Sequence, residues 1–229
     1  VLNVTNYVIY NQQGGLGTVA SPYFPIVNYL YPEANTAATQ TQLAVTPTII
    51  NLYESLLEPY PFRNEKYGHA QFGWGGGMEH STVSSMFNFD RDLIAHEMAH
   101  QWFGDKITCG TWKDIWLNEG ITEYMSGLVV ENLDGAAPFV TWKEDKINNI
   151  TLTSTGSNLY LNDTQALNVN RIFSGRFTYD KGSMVTNMLR WKLGNTAFFQ
   201  ALKSYLADPA LAYGYAVTAN FKSHLEAAY

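Results

Sequence analysis

Residues 96–100, HEMAH, are the feature that most limits what this chain can fold into. Apolar residues recur at helical spacing around them and Asp90 suits an N-cap, so the pattern predicts a helix from Asp90 to Phe103. Side chains four positions apart lie on the same face of a helix. His96 and His100 can therefore direct ring nitrogens at one position about 2.0 Å away, as a zinc ion requires.

Two histidines do not by themselves make a metal site, because a helix can equally carry one buried and one surface histidine. Glu119 is the candidate third ligand, since it lies at the start of a predicted helix over 118–133, with 18 residues between it and His100. Gly104 and Gly110 in that interval would let the chain turn back. Three protein ligands and one open position are typical of a catalytic zinc site rather than a structural one.

Glu97 has the position of a general base. It lies one residue beyond the first histidine, about 100° further round the helix, where its carboxylate can reach a water beside the metal without binding the metal. Zinc lowers the pKa of such a water to around 7, and a carboxylate can then take its proton as the water attacks a carbonyl. The pattern therefore favours a hydrolase.

The composition excludes several other classes of protein. The 14 Lys and Arg residues are scattered and the net charge is -6, which argues against a nucleic-acid-binding surface. No apolar run reaches the roughly 18 residues needed to span a bilayer. Cys109 is the single cysteine, so an intrachain disulfide is excluded. A chain of 229 residues can bury a core without a structural metal, which again favours a catalytic one.

Several motifs together carry a resemblance to a known family. HEMAH, QWFGD at 101–105, the 18-residue interval and WLNEG at 116–120 resemble the M1 family of zinc aminopeptidases, which belong to the zincins whose third ligand is a glutamate. The resemblance runs from about Trp74 to Leu133 and is found again in TYDKGSMV, residues 178–185. It implies one zinc ion, held by two histidines and a glutamate.

The glycine-rich stretch before the helix matches a substrate-binding segment of that family. Gly76, Gly77, Met78 and Glu79 stand where the family has Gly-x-Met-Glu, followed there by Asn and here by His80. The resemblance implies that Glu79 binds the free α-amino group of a peptide and that the glycine backbone pairs with the peptide. The other interpretation of Glu79 is a solvated carboxylate on an edge strand. His80 is a departure that leaves the first-subsite preference open.

Tyr179 matches the family's Tyr-x-Lys-Gly motif, which implies a hydrogen bond from its hydroxyl to the oxyanion of the tetrahedral intermediate.

Glu123, one turn beyond Glu119, has two interpretations. It accepts the second ring N–H of a histidine ligand, or it is a solvated helix carboxylate. The position seven residues after Glu119, often acidic in the family, is Ser126 and is given no role.

The family resemblance implies a thermolysin-like α+β fold, with a small mixed β-sheet followed by a mainly helical half. We expect residues 1–229 to be a single catalytic metallopeptidase domain, with a mixed sheet and helix part over 1–89 and a mainly helical part over 90–229, excised from a longer multidomain protein. In the first part, the sequence pattern predicts a strand at 4–10, a loop at 21–38, a helix at 40–60 and an edge strand running into a turn over 65–77. Pro47 would lie near the first turns of the helix at 40–60 or kink it. In the second part, the pattern predicts a helix at 138–150, a loop at 151–177, and helices at 179–194, 196–207 and 218–229.

These observations predict a zinc-dependent aminopeptidase that hydrolyses the N-terminal bond of peptides. The expected partners are a peptide with a free N-terminus and the flanking domains of a longer protein, with no nucleic acid and no membrane span. Two alternatives stay open. One is a zinc endopeptidase on the same scaffold, and the other is a zinc-binding recognition domain without catalysis.

Overall fold

A computed structural model describes residues 3–155 and 158–229 of the chain. It divides into two compact units, Val1–Gln101 and Trp102–Tyr229. The first unit is built on a β-sheet and the second is mainly helical. Among the described residues no helix has both the length and the apolar character needed to cross a membrane.

The described part of the first unit contains one mixed five-stranded sheet. Its strands are β1 (Val8–Gly14), β2 (Phe24–Leu30), β3 (Tyr67–Gln71), β4 (Gly77–Met78) and β5 (Ser84–Met86), in the spatial order β1-β2-β3-β5-β4. β1 pairs antiparallel with β2 and β4 pairs antiparallel with β5, whereas β3 lies parallel to both of its neighbours. The short strand β4 therefore forms an edge of the sheet.

Strand β2 shows where the sequence prediction for this unit is wrong. Residues 21–38 were expected to form a loop, but Phe24, Ile26 and Leu30 are buried on alternate positions of a strand. Pro25 hides this period, because proline is depleted in strands. It is tolerated at the second residue of β2, where it lies opposite Gln13 in the antiparallel pair.

The other strand predictions hold only in part. The strand predicted at 4–10 begins later, at Val8, and continues through the polar residues to Gly14. The single edge strand predicted over 65–77 is two strands, β3 inside the sheet and β4 at its edge. β3 can lie between two neighbours because Gly68 has no side chain: a β-carbon there would be 1.8 Å from the carbonyl oxygen of Val27.

Three α-helices complete the described part of the first unit: α1 (Ala37–Leu43), α2 (Thr46–Leu56) and α3 (Arg91–Ala99). The helix predicted at 40–60 is therefore two helices, and Pro47 lies in the first turn of α2, where its missing N–H costs no helical hydrogen bond. The hydroxyl of Tyr53 on α2 donates to the carbonyl of Ala95 at 2.9 Å and fixes the position of α3.

The second unit is mainly helical. Its elements are β6 (Ile107–Cys109), α4 (Trp116–Leu133), α5 (Ala136–Thr151), α6 (Val169–Ile172), a π-helical segment (Gly175–Lys181), α7 (Gly182–Leu193), α8 (Asn195–Ala207), β7 (Gly214–Ala216) and α9 (Thr218–Ala228). The predicted helices at 118–133 and 138–150 are confirmed within two residues. The loop predicted at 151–177 is wrong at its end, where α6 and the π-helical segment begin; residues 156 and 157 lie outside the described residues.

Candidate active site

The two histidines lie together at the end of α3. His96 Nε2 and His100 Nε2 are 3.2 Å apart, and the two rings are nearly perpendicular. His96 is half-buried and His100 is buried. The helix predicted to reach Phe103 ends at Ala99, because the chain then tightens to a hydrogen bond from Gln101 N–H to the Met98 carbonyl. The two ring nitrogens are nevertheless close enough to bind one ion.

Glu97 is buried on the same helix, with an exposed fraction of 5%. Strand β4 lies directly against its side chain. A β-carbon on Gly77 would be 2.4 Å from Glu97 Oε1 and 2.5 Å from Glu97 Cδ. Only a glycine lets the backbone of the edge strand approach the carboxylate this closely.

Glu79 follows β4 immediately and is half-buried. Ligand atoms of Glu79, Glu97 and His100 all lie within 4.8 Å of one another, so the structure brings the predicted amine anchor beside the predicted base. Met78 is 44% exposed at the sheet edge. Gly76 is exposed and has φ +85°, a left-handed conformation that favours glycine.

His80 has a structural contact in this segment. Its Nδ1 lies 3.0 Å from Ser85 Oγ, across the turn that joins β4 to β5. Burial lowers the pKa of His80, and the nearby Glu79 carboxylate opposes that shift. The side chain therefore links the turn to strand β5.

Glu119 lies in the first turn of α4 and is buried, with an exposed fraction of 5%. It offers one carboxylate oxygen, and His96 and His100 each offer one ring nitrogen. These three residues are a candidate set of metal ligands. Two imidazoles and one carboxylate are a donor set that zinc takes at catalytic sites with a fourth position open. The residues present therefore fit a zinc ion.

Tyr179 is half-buried in the π-helical segment. The start of α4 and the end of this segment are held close by two glycines, because a β-carbon on Gly120 would be 2.7 Å from the Cα of Gly182. Gly120 follows Glu119 directly. The glycine contact thus fixes the backbone that carries Glu119 relative to the backbone that carries Tyr179.

An ion-pair cluster surrounds the residue next to Tyr179. Lys146 Nζ lies 2.9 Å from Asp180 Oδ1 and 2.6 Å from Glu123 Oε1, and Asn149 Nδ2 donates to Asp180 Oδ2 at 2.6 Å. Burial alone would lower the pKa of Lys146, but the two carboxylates outweigh it and raise that pKa. Glu123 is therefore not a solvated carboxylate, and that interpretation is wrong.

Sequence reasoning missed Lys146 and Gln101. Lys146 lies in the run Lys143-Glu144-Asp145-Lys146, which has the composition of a solvent-exposed helix face, so nothing marks it as a partner of two distant carboxylates. Gln101 directly follows His100 and is fully buried. A polar residue at a predicted helix end carries no signal of burial. Cys109 is half-buried.

Comparison with known proteins places these residues in a family. Residues 78–229 match a model described as the Peptidase family M1 domain. Aminopeptidase M1-B of Oryza sativa subsp. japonica is 37% identical over 157 residues, covering 62% of this chain and 17% of that protein. Aminopeptidase N of Oryctolagus cuniculus is 30% identical over 195 residues, covering 73% of this chain and 20% of that protein. The chain spans a fifth or less of these two relatives.

Solved structures show the same fold. The M1 zinc metallopeptidase from Deinococcus radiodurans superimposes with a TM-score of 0.77 at 21% sequence identity, covering 96% of this chain and 48% of that chain. The expected α+β fold, with a small mixed sheet ahead of a mainly helical half, is confirmed.

Proposed function

This chain belongs to peptidase family M1, and from that membership we propose that it is the catalytic part of a zinc-dependent aminopeptidase. We propose further that residues 1–229 act as a single catalytic metallopeptidase domain within a longer protein. Its substrates would be peptides with a free N-terminus, and its other partners would be the flanking domains.

The candidate ligand set of His96, His100 and Glu119 is the observation that carries the proposal, since it combines the donor types of a catalytic zinc site and the two histidine Nε2 atoms lie 3.2 Å apart. A zinc ion bound there supplies Lewis-acid polarisation of the scissile carbonyl and acidifies the attacking water. Structural zinc sites are closed by four protein ligands. A site with three such ligands leaves room for a reaction.

Glu97 is suited to move protons in this reaction. Its carboxylate takes a proton from the water as the water attacks, and then delivers that proton to the leaving amine. Its burial and its place on α3, next to His96 and three residues before His100, hold the carboxylate beside the proposed ligands. General acid–base transfer of this kind contributes typically about 10²- to 10⁴-fold to rate.

Tyr179 and Glu79 complete the assignment. The Tyr179 hydroxyl donates a hydrogen bond to the carbonyl oxygen as negative charge develops on it. The Glu79 carboxylate binds the substrate's α-ammonium by a charge-assisted hydrogen bond. The ligand atoms of Glu79 and Glu97 lie within 4.8 Å of each other. This separation fits a substrate with one residue between the bound α-ammonium and the scissile bond, which favours an aminopeptidase. The glycine backbone of Gly76 and Gly77, with Met78, would pair with that first residue.

Hydrolysis of leucine p-nitroanilide by the full-length protein tests the proposal. We expect a chelator to abolish hydrolysis and added zinc to restore it, and we expect Glu97→Gln to lower kcat at least about 10²-fold while the zinc content is unchanged. Hydrolysis that survives both treatments would exclude this mechanism.

The same assay separates the two alternatives. An endopeptidase would cleave N-acetylated peptides, whereas an enzyme that anchors a free amine would reject them. A recognition domain would bind one zinc ion and turn over neither class of substrate.

A further inference from the structure

Gln101 contacts the turn that begins at Glu79. Its Oε1 accepts hydrogen bonds from the backbone N–H of Thr82 at 2.9 Å and from the hydroxyl of Tyr60 at 3.3 Å. Its Nε2 donates to the carbonyl of Glu79 at 3.3 Å. The side chain is fully buried, and the bonds from Thr82 and Tyr60 are buried, whereas the bond to the Glu79 carbonyl is partly buried.

The orientation of this amide is fixed by its partners. A backbone carbonyl can only accept and a backbone N–H can only donate, so Nε2 must face Glu79 and Oε1 must face Thr82. A hydrocarbon side chain of the same length would leave both backbone groups of the turn without this partner. A carboxylate would keep the acceptor and lose the donor.

The turn held by Gln101 has an unfavourable backbone conformation. Thr82 has φ +68°, a left-handed value that costs a β-branched residue roughly 1–2 kcal/mol. A hydrogen bond from Val83 N–H to the His80 carbonyl closes the turn at 3.0 Å. Because Thr82 is buried and its N–H is bound by Gln101, the glutamine stabilises a conformation that threonine would not adopt alone.

Gln101 also has a fixed relationship to the metal-binding helix, since it is the residue after His100. One side chain therefore connects the backbone of a proposed zinc ligand to the backbone of the proposed amine anchor. The hydroxyl of Tyr60 donates to the same oxygen and, at a shorter 3.0 Å, to the carbonyl of Lys66. It provides a matched control.

We propose that Gln101 is a positioning residue that sets the distance from the Glu79 carboxylate to the metal ligands, and so determines how well the site recognises a substrate's α-amino group. The inference rests on the proposed function. Without Gln101 the turn relaxes and the carboxylate shifts, and a misplacement of about 1 Å at a reacting centre can cost 10²-fold. The metal ligands themselves do not depend on this amide.

A pair of metal-binding inhibitors separates amine recognition from metal binding. Leucine hydroxamate carries the α-amino group, and 4-methylpentanehydroxamate is the same molecule without it. Both dissociation constants are measured by isothermal titration calorimetry on the full-length zinc-loaded protein. Their ratio reports how much the α-amino group contributes to binding affinity. The proteins compared are wild type, Gln101→Met, Gln101→Glu, Tyr60→Phe and Glu79→Gln, each with its zinc content measured.

We expect the wild type to prefer the amino compound and Glu79→Gln to lose that preference. Gln101→Met should lower the preference about tenfold or more, while the zinc content and the affinity for the amine-free compound stay the same. Tyr60→Phe should keep the preference within about twofold. If Gln101→Met does not fold, Gln101→Glu carries the test, because it lacks the donor to Glu79 and should also lower the preference.

Other outcomes would overturn the inference. An unchanged preference in every folded Gln101 variant would show that the glutamine does not position Glu79. Equal weakening of both compounds would show a merely structural role. A wild-type protein that binds both compounds equally would overturn the proposed amine recognition by Glu79 itself, which distinguishes failure of the proposed function from failure of this inference.

Discussion

The Cα of Gly77 lies so close to Glu97 that a β-carbon at residue 77 would be 2.4 Å from the Oε1 atom of the glutamate. The atoms in the way belong to the far end of a flexible side chain, so an added methyl group would move Glu97 rather than the backbone. The edge strand thus packs directly against the side chain of the proposed base.

Gly77→Ala should therefore separate activity from folding. We expect kcat to fall about 10²-fold or more, because the displaced carboxylate no longer reaches the attacking water. Zinc content should stay the same and the free energy of unfolding should change by about 1 kcal/mol or less. Gly75→Ala is the control, since a β-carbon there would meet no described atom within 4 Å. Equal effects of the two substitutions would contradict the assignment.

Lys146→Met tests the ion-pair cluster beside Tyr179. The side chains of Lys146, Glu123 and Asp180 are 22%, 15% and 11% exposed, so removal of the cation leaves two carboxylates poorly solvated and close together. We expect the free energy of unfolding in urea to fall by about 1–3 kcal/mol. Lys222→Met removes an exposed pair with Glu226 and should have no measurable effect. Equal stability of the two variants would contradict this reasoning.

His69 should make the protein less stable in acid. It is fully buried, burial lowers its pKa from 6.5 to about 3, and its Nδ1 lies 2.7 Å from Asn28 Oδ1. Its Nε2 has no hydrogen-bond partner among the described residues. Below pH 6.5 the unfolded chain therefore binds a proton that the folded chain does not. The neutral ring contributes stability above that pH, and this stability is lost as the pH falls towards 3.

The variant His69→Gln provides the measurement, because glutamine does not titrate. We expect the wild type to be more stable at pH 7, and the difference in unfolding free energy to shrink by up to about 1.4 kcal/mol per pH unit between 6.5 and 4.5. A difference that stays constant over this range would show that His69 is protonated equally in both states.

The candidate site was largely predictable from the sequence, because its chemistry depends on short spacings. A separation of four positions between two histidines on a helix fixes their shared face, whatever surrounds the helix. Glu119 could be named because it lies in WLNEG at the start of the next predicted helix, with 18 residues and two glycines between it and His100. The role of Glu123 could not be decided, since its partner Lys146 is 23 positions away on another helix.

The fold was less predictable where tertiary contacts override local pattern. Pro25 hid strand β2, and β5 is only three residues long, Ser84–Met86, with two serines that favour a turn. The π-helical segment Gly175–Lys181 follows a stretch without periodicity. Its conformation depends on contacts such as the one between Gly120 and Gly182, which no local window contains.

Zinc stoichiometry of a matched pair of variants tests the central claim most directly. Glu119 and Glu123 lie one turn apart on α4, so Glu119→Gln and Glu123→Gln remove the same charge from the same helix. We expect one zinc ion per chain in the wild type and in Glu123→Gln, and a large loss of zinc in Glu119→Gln under the same conditions. A wild-type chain without zinc, or a Glu119→Gln variant that binds zinc as tightly as the wild type, would contradict the account.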